Sequence, residues 1–153
     1  MENTTANPQV DTQNKKLLYT AKTHTTGGRE GGMSRSMSRS SDGNLDVKIT
    51  PPGAGNGTNP EQLFASGWST CFFSAMKIAA GQMKVRFPAD AFVDAEVDLL
   101  LEGKDNFSLQ ARLNVSLPGI DSTTAQAIAE AAHRLCPYSK ATHGNVKVET
   151  NIL

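Results

Sequence analysis

The sequence predicts an α+β fold with the element order βββ-α-ββ-α(α)-β. Segments in which apolar and polar residues alternate cluster in two places, 17–49 and 93–117, and a last one closes the chain at 146–152. A long apolar stretch with helix-start signals separates the two clusters, and a second helical pattern follows the later one. Strands therefore come in runs, without the β-α-β alternation of a doubly wound sheet.

Residues 1–14 are polar, contain Pro8 and read as a disordered tail; 15–153 read as one domain. From Leu17, the side chains of Leu17, Tyr19, Ala21 and Thr23 fall on one face of an expected strand. TTGGREGG then supplies four glycines for a turn or functional loop, and MSRSMSR reads as a second strand. Ser41-Asp42-Gly43 signals a turn before Leu45, Val47 and Ile49 alternate again, which completes a three-stranded meander. PPGAGNG, 51–57, is a loop.

Thr58 or Asn59 can cap the first helix, Pro60 suits its first turn, and Glu61 suits the positive end of its dipole. Apolar or small residues occupy nearly every side of it, as expected of a central helix covered by a sheet or another subunit. Val93 to Leu101 and Phe107 to Leu117 form a hairpin around Gly103-Lys104-Asp105-Asn106. Asp121 can cap the second helix, whose inner face carries Ala125, Ile128, Ala129, Ala132 and Leu135. Pro137 disfavours helix at Cys136, so that helix ends there; a short turn of helix, 137–143, and a strand through Val146, Val148, Thr150 and Ile152 follow.

The 153 residues carry 15 basic and 15 acidic side chains, with no basic stripe of the kind nucleic acid demands. The longest uncharged apolar run, 62–76, is too short for a bilayer span, and the N-terminus lacks the pattern of a secretory signal. The expectation is a cytoplasmic chain with neither nucleic-acid nor membrane partners, in which the three N-glycosylation sequons are chance. The two cysteines are then buried fillers or catalytic thiols rather than a permanent staple. Cys71 sits mid-helix in an uncharged stretch, where a small apolar filler is the ordinary reading. Cys136 stands where one helix stops and another turn can begin, so its sulfur could lie near a helix N-terminus that favours thiolate. Arg29 lies among the loop glycines, either as a solvated turn residue or as a fixed charge able to hold a thiolate.

GGREG (27–31), SSDGNLDVKI (40–49), TNPEQLFASGWSTCF (58–72) and CPYSKATHGN (136–145) resemble the organic hydroperoxide resistance proteins of the Ohr/OsmC superfamily, from about Tyr19 to the C-terminus. The resemblance implies an OsmC-like fold in an intertwined homodimer, with strands wrapped around central helices and sites at the subunit interface. It implies a thiol-dependent peroxidase that reduces alkyl and fatty-acid hydroperoxides to alcohols in the response to oxidative stress. Cys71 matches the peroxidatic cysteine and Cys136 the resolving one; Arg29 matches the arginine that activates the thiolate and Glu61 the carboxylate that holds it. No metal or organic cofactor is bound in that family, and dihydrolipoyl groups on lipoylated proteins act as the external reductant. Phe64, Trp68, Phe72 and Phe73 suit a pocket for a lipid-like tail, or are simply core.

Ten helical residues separate Glu61 from Cys71, about 15 Å along the axis. One arginine cannot easily touch both. Either the helix breaks, near Gly67, or Cys71 meets the Arg29–Glu61 pair of a second subunit; antiparallel central helices in a symmetric dimer favour the latter. The segment 32–39 is longer than in typical relatives and carries Arg35 and Arg39, which the reading leaves as solvated strand residues. His133, three before Cys136, could suggest a metal pair, yet no second pair completes a four-ligand set; His24 and His143 read as surface residues. The alternatives are a general stress protein of the same superfamily, a redox sensor or lipid-binding module using the same thiols, and a cysteine hydrolase, which lacks a base placed beside Cys71.

Overall fold

A computed structural model describes residues 14–37 and 44–153. The expected tail, the Ser41-Asp42-Gly43 turn and Arg39 fall outside them, apart from residue 14. The elements follow in the expected order: β1 (Thr23–Thr26), β2 (Met33–Ser36), β3 (Asp46–Lys48), α1 (Pro60–Gln82), β4 (Phe92–Glu102), β5 (Asn106–Ser116), α2 (Ser122–Leu135), α3 (Pro137–Thr142) and β6 (Lys147–Ile152). They make two three-stranded sheets, β1-β2-β3 and β4-β5-β6.

The first sheet is an antiparallel meander with small polar side chains and little burial. Its first strand starts at Thr23, not Leu17 as the alternation predicts. A strand needs a ladder partner, and Thr23 lies opposite Ser36, the last residue of β2. Upstream, Leu17 and Leu18 are 79% and 85% exposed and pair with no strand among the described residues. Gly27 has φ 68°, and a Cβ built on it would lie 2.9 Å from the Gly32 Cα, so the loop closes on itself only with glycine there. Ile49 bridges Thr58, which ties the end of the meander to the start of α1.

Helix α1 begins as its sequence predicts: the Asn59 side chain accepts the Gln62 N–H at 2.9 Å and Pro60 opens the first turn. It runs unbroken through Gly67. Within the chain it is not buried all round. Trp68, Phe72, Ala75, Met76, Ala79 and Ala80 are buried against α2, α3 and β4, while Ser66, Thr70, Ser74 and Ile78 stay exposed.

The β4–β5 hairpin pairs Phe92 with Ser116 through to Glu102 with Asn106. Ala111, Leu113, Val115 and Leu117 join the core, whereas toward the hairpin tip Leu99, Leu101 and Phe107 are exposed. On the outer face Arg112 bridges Glu96 and Asp98, and its hydrogen bonds hold the Asp98 carboxyl down at about 2. The second sheet also contains a connection the sequence reading does not include. β6 runs parallel to β5, so β5-α2-α3-β6 is a single β-α-β crossover joined to an antiparallel hairpin. Asp121 caps α2 through the Thr124 N–H at 2.9 Å, and α2 places Ala125, Ile128, Ala129 and Ala132 in the core.

Leu113 is fully buried at the centre of β5. Leu113→Ala is expected to lower unfolding stability by about 2–5 kcal/mol, read as a lower urea midpoint at unchanged m-value.

Candidate active site

The four residues singled out as catalytic fall into two pairs. On one side, Arg29 reaches from the glycine loop to the first turn of α1 and donates two hydrogen bonds to Glu61, Nη1 to Oε2 at 2.8 Å and Nη2 to Oε1 at 2.7 Å. This fork-on-fork geometry fixes the guanidinium in direction as well as position. The arginine side chain is 44% exposed and the glutamate 14%, so one face of the cation stays open. Arg29 holds the Glu61 carboxyl below its ordinary value, against the opposing effect of burial.

On the other side, Cys71 of α1 and Cys136, the residue joining α2 to α3, are free thiols with their sulfurs 3.4 Å apart. Pro137 creates this meeting. It cannot continue α2, Cys136 takes an extended backbone (ψ 121°), and α3 restarts immediately, so the second sulfur lies on a sharp corner facing α1. Cys136 is fully buried and Cys71 partly so. Burial first, and then the neighbouring Cys136 thiol, push the Cys71 pKa up, while the backbone N–H of Tyr138 lowers it. That N–H belongs to the first turn of α3 and has no partner within the helix. The helix-start effect expected at Cys136 thus acts on the other sulfur. Among the described residues no guanidinium contributes to the Cys71 shift, and the unbroken α1 keeps the Glu61 end of the Arg29–Glu61 pair about 15 Å along its axis from Cys71.

The four aromatic residues expected to form a pocket diverge. Phe64 stands edge-on to both Trp68 and the half-exposed Tyr138 ring. Trp68 and Phe72 are buried core side chains, and Phe73 turns to the sheet side against Phe87. The helical period explains this: successive residues step around the axis, and Phe72 and Phe73 cannot share a face. Tyr138, which the sequence reading passes over, approaches α1 because position 67 is glycine; a Cβ there would lie 2.8 Å from the phenol oxygen. Arg35 is exposed on β2 opposite His24. His133 contacts hydroxyls: Nδ1 lies 2.9 Å from Ser139 Oγ and Nε2 2.8 Å from Thr150 Oγ1. Among the described residues no group of three or more His, Cys, Asp or Glu could hold a metal ion, and no helix is long and apolar enough to cross a membrane.

Against known proteins, residues 53–151 match the family described as OsmC-like protein. The chain is 41% identical over 140 residues to the organic hydroperoxide resistance protein of Xanthomonas axonopodis pv. citri, covering 88% of this chain and 94% of that one. It is 39% identical, over 88% of its length and 98% of the other's, to the organic hydroperoxide resistance protein OhrB of Bacillus subtilis. The crystal structure of that protein superposes with a TM-score of 0.78, covering 90% of this chain and all of the other.

The sign of the Glu61 shift makes a pH prediction. A carboxylate held low contributes fully above its ordinary value near 4.5 and loses that contribution as pH falls through the lowered one. The Arg29 side-chain nitrogen resonance should therefore show a transition with its midpoint below 4.5, and Glu61→Gln should remove it.

Proposed function

This chain belongs to the OsmC family, and on that ground we propose that it is a thiol-dependent peroxidase that reduces organic hydroperoxides to alcohols. The observation that carries the reading is the pair of free thiols, 3.4 Å apart, at the junction of α1 and α3. The Cys71 thiolate attacks the terminal peroxide oxygen; the O–O bond breaks, the alkoxide takes a proton and leaves as alcohol, and Cys71 becomes a sulfenic acid. The Cys136 thiol then attacks that sulfur, and a disulfide and water result. A dithiol regenerates both thiols by two exchange steps and leaves as its own cyclic disulfide; a dihydrolipoyl group on a lipoylated protein is the reductant proposed.

Cys71 is the sulfur that reacts first with peroxide because it is the accessible one of the two. Within one chain, burial disfavours its thiolate, so activation needs a cation from elsewhere. We assign that role to the Arg29–Glu61 pair of a partner subunit in a homodimer. The uncovered apolar surface supports the dimer: Leu17, Leu18 and the hairpin-tip residues Leu99, Leu101 and Phe107 are all exposed, and the meander packs little against the rest of its own chain. The arginine, held in direction by Glu61, keeps a free face with which to hydrogen-bond the thiolate and the peroxide. Tyr138, whose backbone N–H faces Cys71, and the Phe64 ring stacked edge-on against it provide apolar surface for an organic tail. The site of action proposed is the cytoplasm.

Steady-state turnover of a fatty-acid hydroperoxide with dihydrolipoamide, beside glutathione and thioredoxin, tests the assignment; absence of turnover with all three would refute it. Cys71→Ser should abolish turnover, while Cys136→Ser should consume about one equivalent of peroxide and then overoxidise. Arg29→Ala should slow the peroxide step by about 100-fold or more, as loss of a charged group that stabilises the reacting atoms does. Mixing Cys71→Ser with Arg29→Ala should restore partial activity through hybrid dimers. No recovery despite demonstrated subunit exchange would place both groups in one chain.

A further inference from the structure

A chain of hydrogen bonds runs behind the thiol pair without touching either sulfur. Trp68 Nε1–H donates to Ser139 Oγ at 3.1 Å, Ser139 Oγ lies 2.9 Å from His133 Nδ1, and His133 Nε2 lies 2.8 Å from Thr150 Oγ1. It links four elements: α1, α3, α2 and β6. Trp68 is three residues before Cys71 on α1, and so a neighbour of it on the helix surface. Ser139 is three residues after Cys136, which caps the helix that carries Ser139. The Trp68–Ser139 bond therefore spans the same α1–α3 gap as the two sulfurs, one helical turn away.

We propose that Ser139 and His133 are positioning residues that set the Cys71–Cys136 separation by fixing α3 against α1 through Trp68. Proton inventory gives the chain a direction. Ser139 has one proton to donate and accepts from the indole, which has no other polar group. All the protons are used when the Ser139 hydroxyl donates to Nδ1 and the neutral imidazole donates from Nε2 to Thr150. An imidazolium would donate from both nitrogens and leave the Ser139 proton without an acceptor in the chain. Desolvation holds the His133 pKa below its usual value, and the Phe72 ring covers the imidazole at 4.6 Å between centroids. Ser139 is itself buried, so it has no ready substitute partner if either bond is lost. A disulfide needs the sulfurs at about 2.05 Å, so an ångström of play between α1 and α3 is comparable to the whole distance left to close from 3.4 Å.

This inference rests on the proposed thiol pair but is tested without any peroxide. The full chain is equilibrated in mixtures of reduced and oxidised dithiothreitol, and the 71–136 disulfide is quantified by mass spectrometry. In that exchange, the cyclic disulfide of the reagent oxidises both protein thiols and is itself reduced. Ser139→Ala should lower the equilibrium constant for disulfide formation by roughly tenfold, because a loosened α3 presents one thiol to the other at a lower effective concentration. Trp68→Phe should lower it similarly, and the double variant should be no worse than Ser139→Ala alone, because both changes remove the same bond. Ser139→Thr, which keeps the hydroxyl, should recover most of the loss. Unchanged equilibria in Trp68→Phe, or losses that add in the double variant, overturn the positioning role; if Ser139→Ala does not fold, Trp68→Phe alone decides. A wild-type chain that forms no 71–136 disulfide in any buffer overturns the proposed function together with this inference, whereas a wild-type disulfide with indifferent variants overturns the inference only.

Discussion

A straight helix cannot bring its own start to its own middle, and the arrangement of the site follows from that. α1 carries Glu61 in its first turn and Cys71 almost three turns later, with no break in the helix between them. Whatever acts on the sulfur must therefore come from outside the helix. α3 brings the second thiol and one backbone N–H, and the glycine loop brings a guanidinium to the opposite end of the rail. One rigid element thus separates two pairs of side chains, Arg29 with Glu61 and Cys71 with Cys136, each bonded within itself. In a single chain, these pairs do not meet; two antiparallel copies of the rail would let them.

The meander that supports the guanidinium has little stability of its own. Its strands are three or four residues long and mostly exposed, and a sheet of that size gains little from burial. Among the described residues, the Ile49–Thr58 bridge ties it to the segment that leads into α1 and the Arg29–Glu61 ion pair ties it to α1 itself. The ion pair therefore also anchors the loop, so the charge state of one glutamate influences both the direction of the cation and the placement of the segment that bears it.

Much of this architecture could be read in the residues because local chemistry decides it. Asn59-Pro60-Glu61 and Asp121 start helices at the positions where they do so in the fold, and Pro137 ends one. The features that were not legible depend on partners distant in sequence. Alternation from Leu17 looks like a strand, but β1 starts only where β2 supplies hydrogen bonds. The parallel pairing of β6 with β5 has no short-range signature. Trp68 and Phe72 look like pocket lining until α2 and α3 cover them. His133 drew attention through its spacing to Cys136, while its actual partners, Ser139 and Thr150, lie six and seventeen positions away. Motif alone singles out the two thiols, the arginine and the glutamate; that they separate into pairs follows from the 1.5 Å rise of a helix.

Gly67 shows two demands in conflict at one backbone atom. Alanine there would favour the helix by up to about 1 kcal/mol, so a search for sturdier variants would select it. Yet the added methyl would enter the space of the Tyr138 phenol, and the half-exposed ring would have to shift. Such a variant would melt later while leaving a gap in the aromatic surface on the turn of α1 that precedes Cys71. At this position, thermal robustness and closure around the sulfur select for different residues.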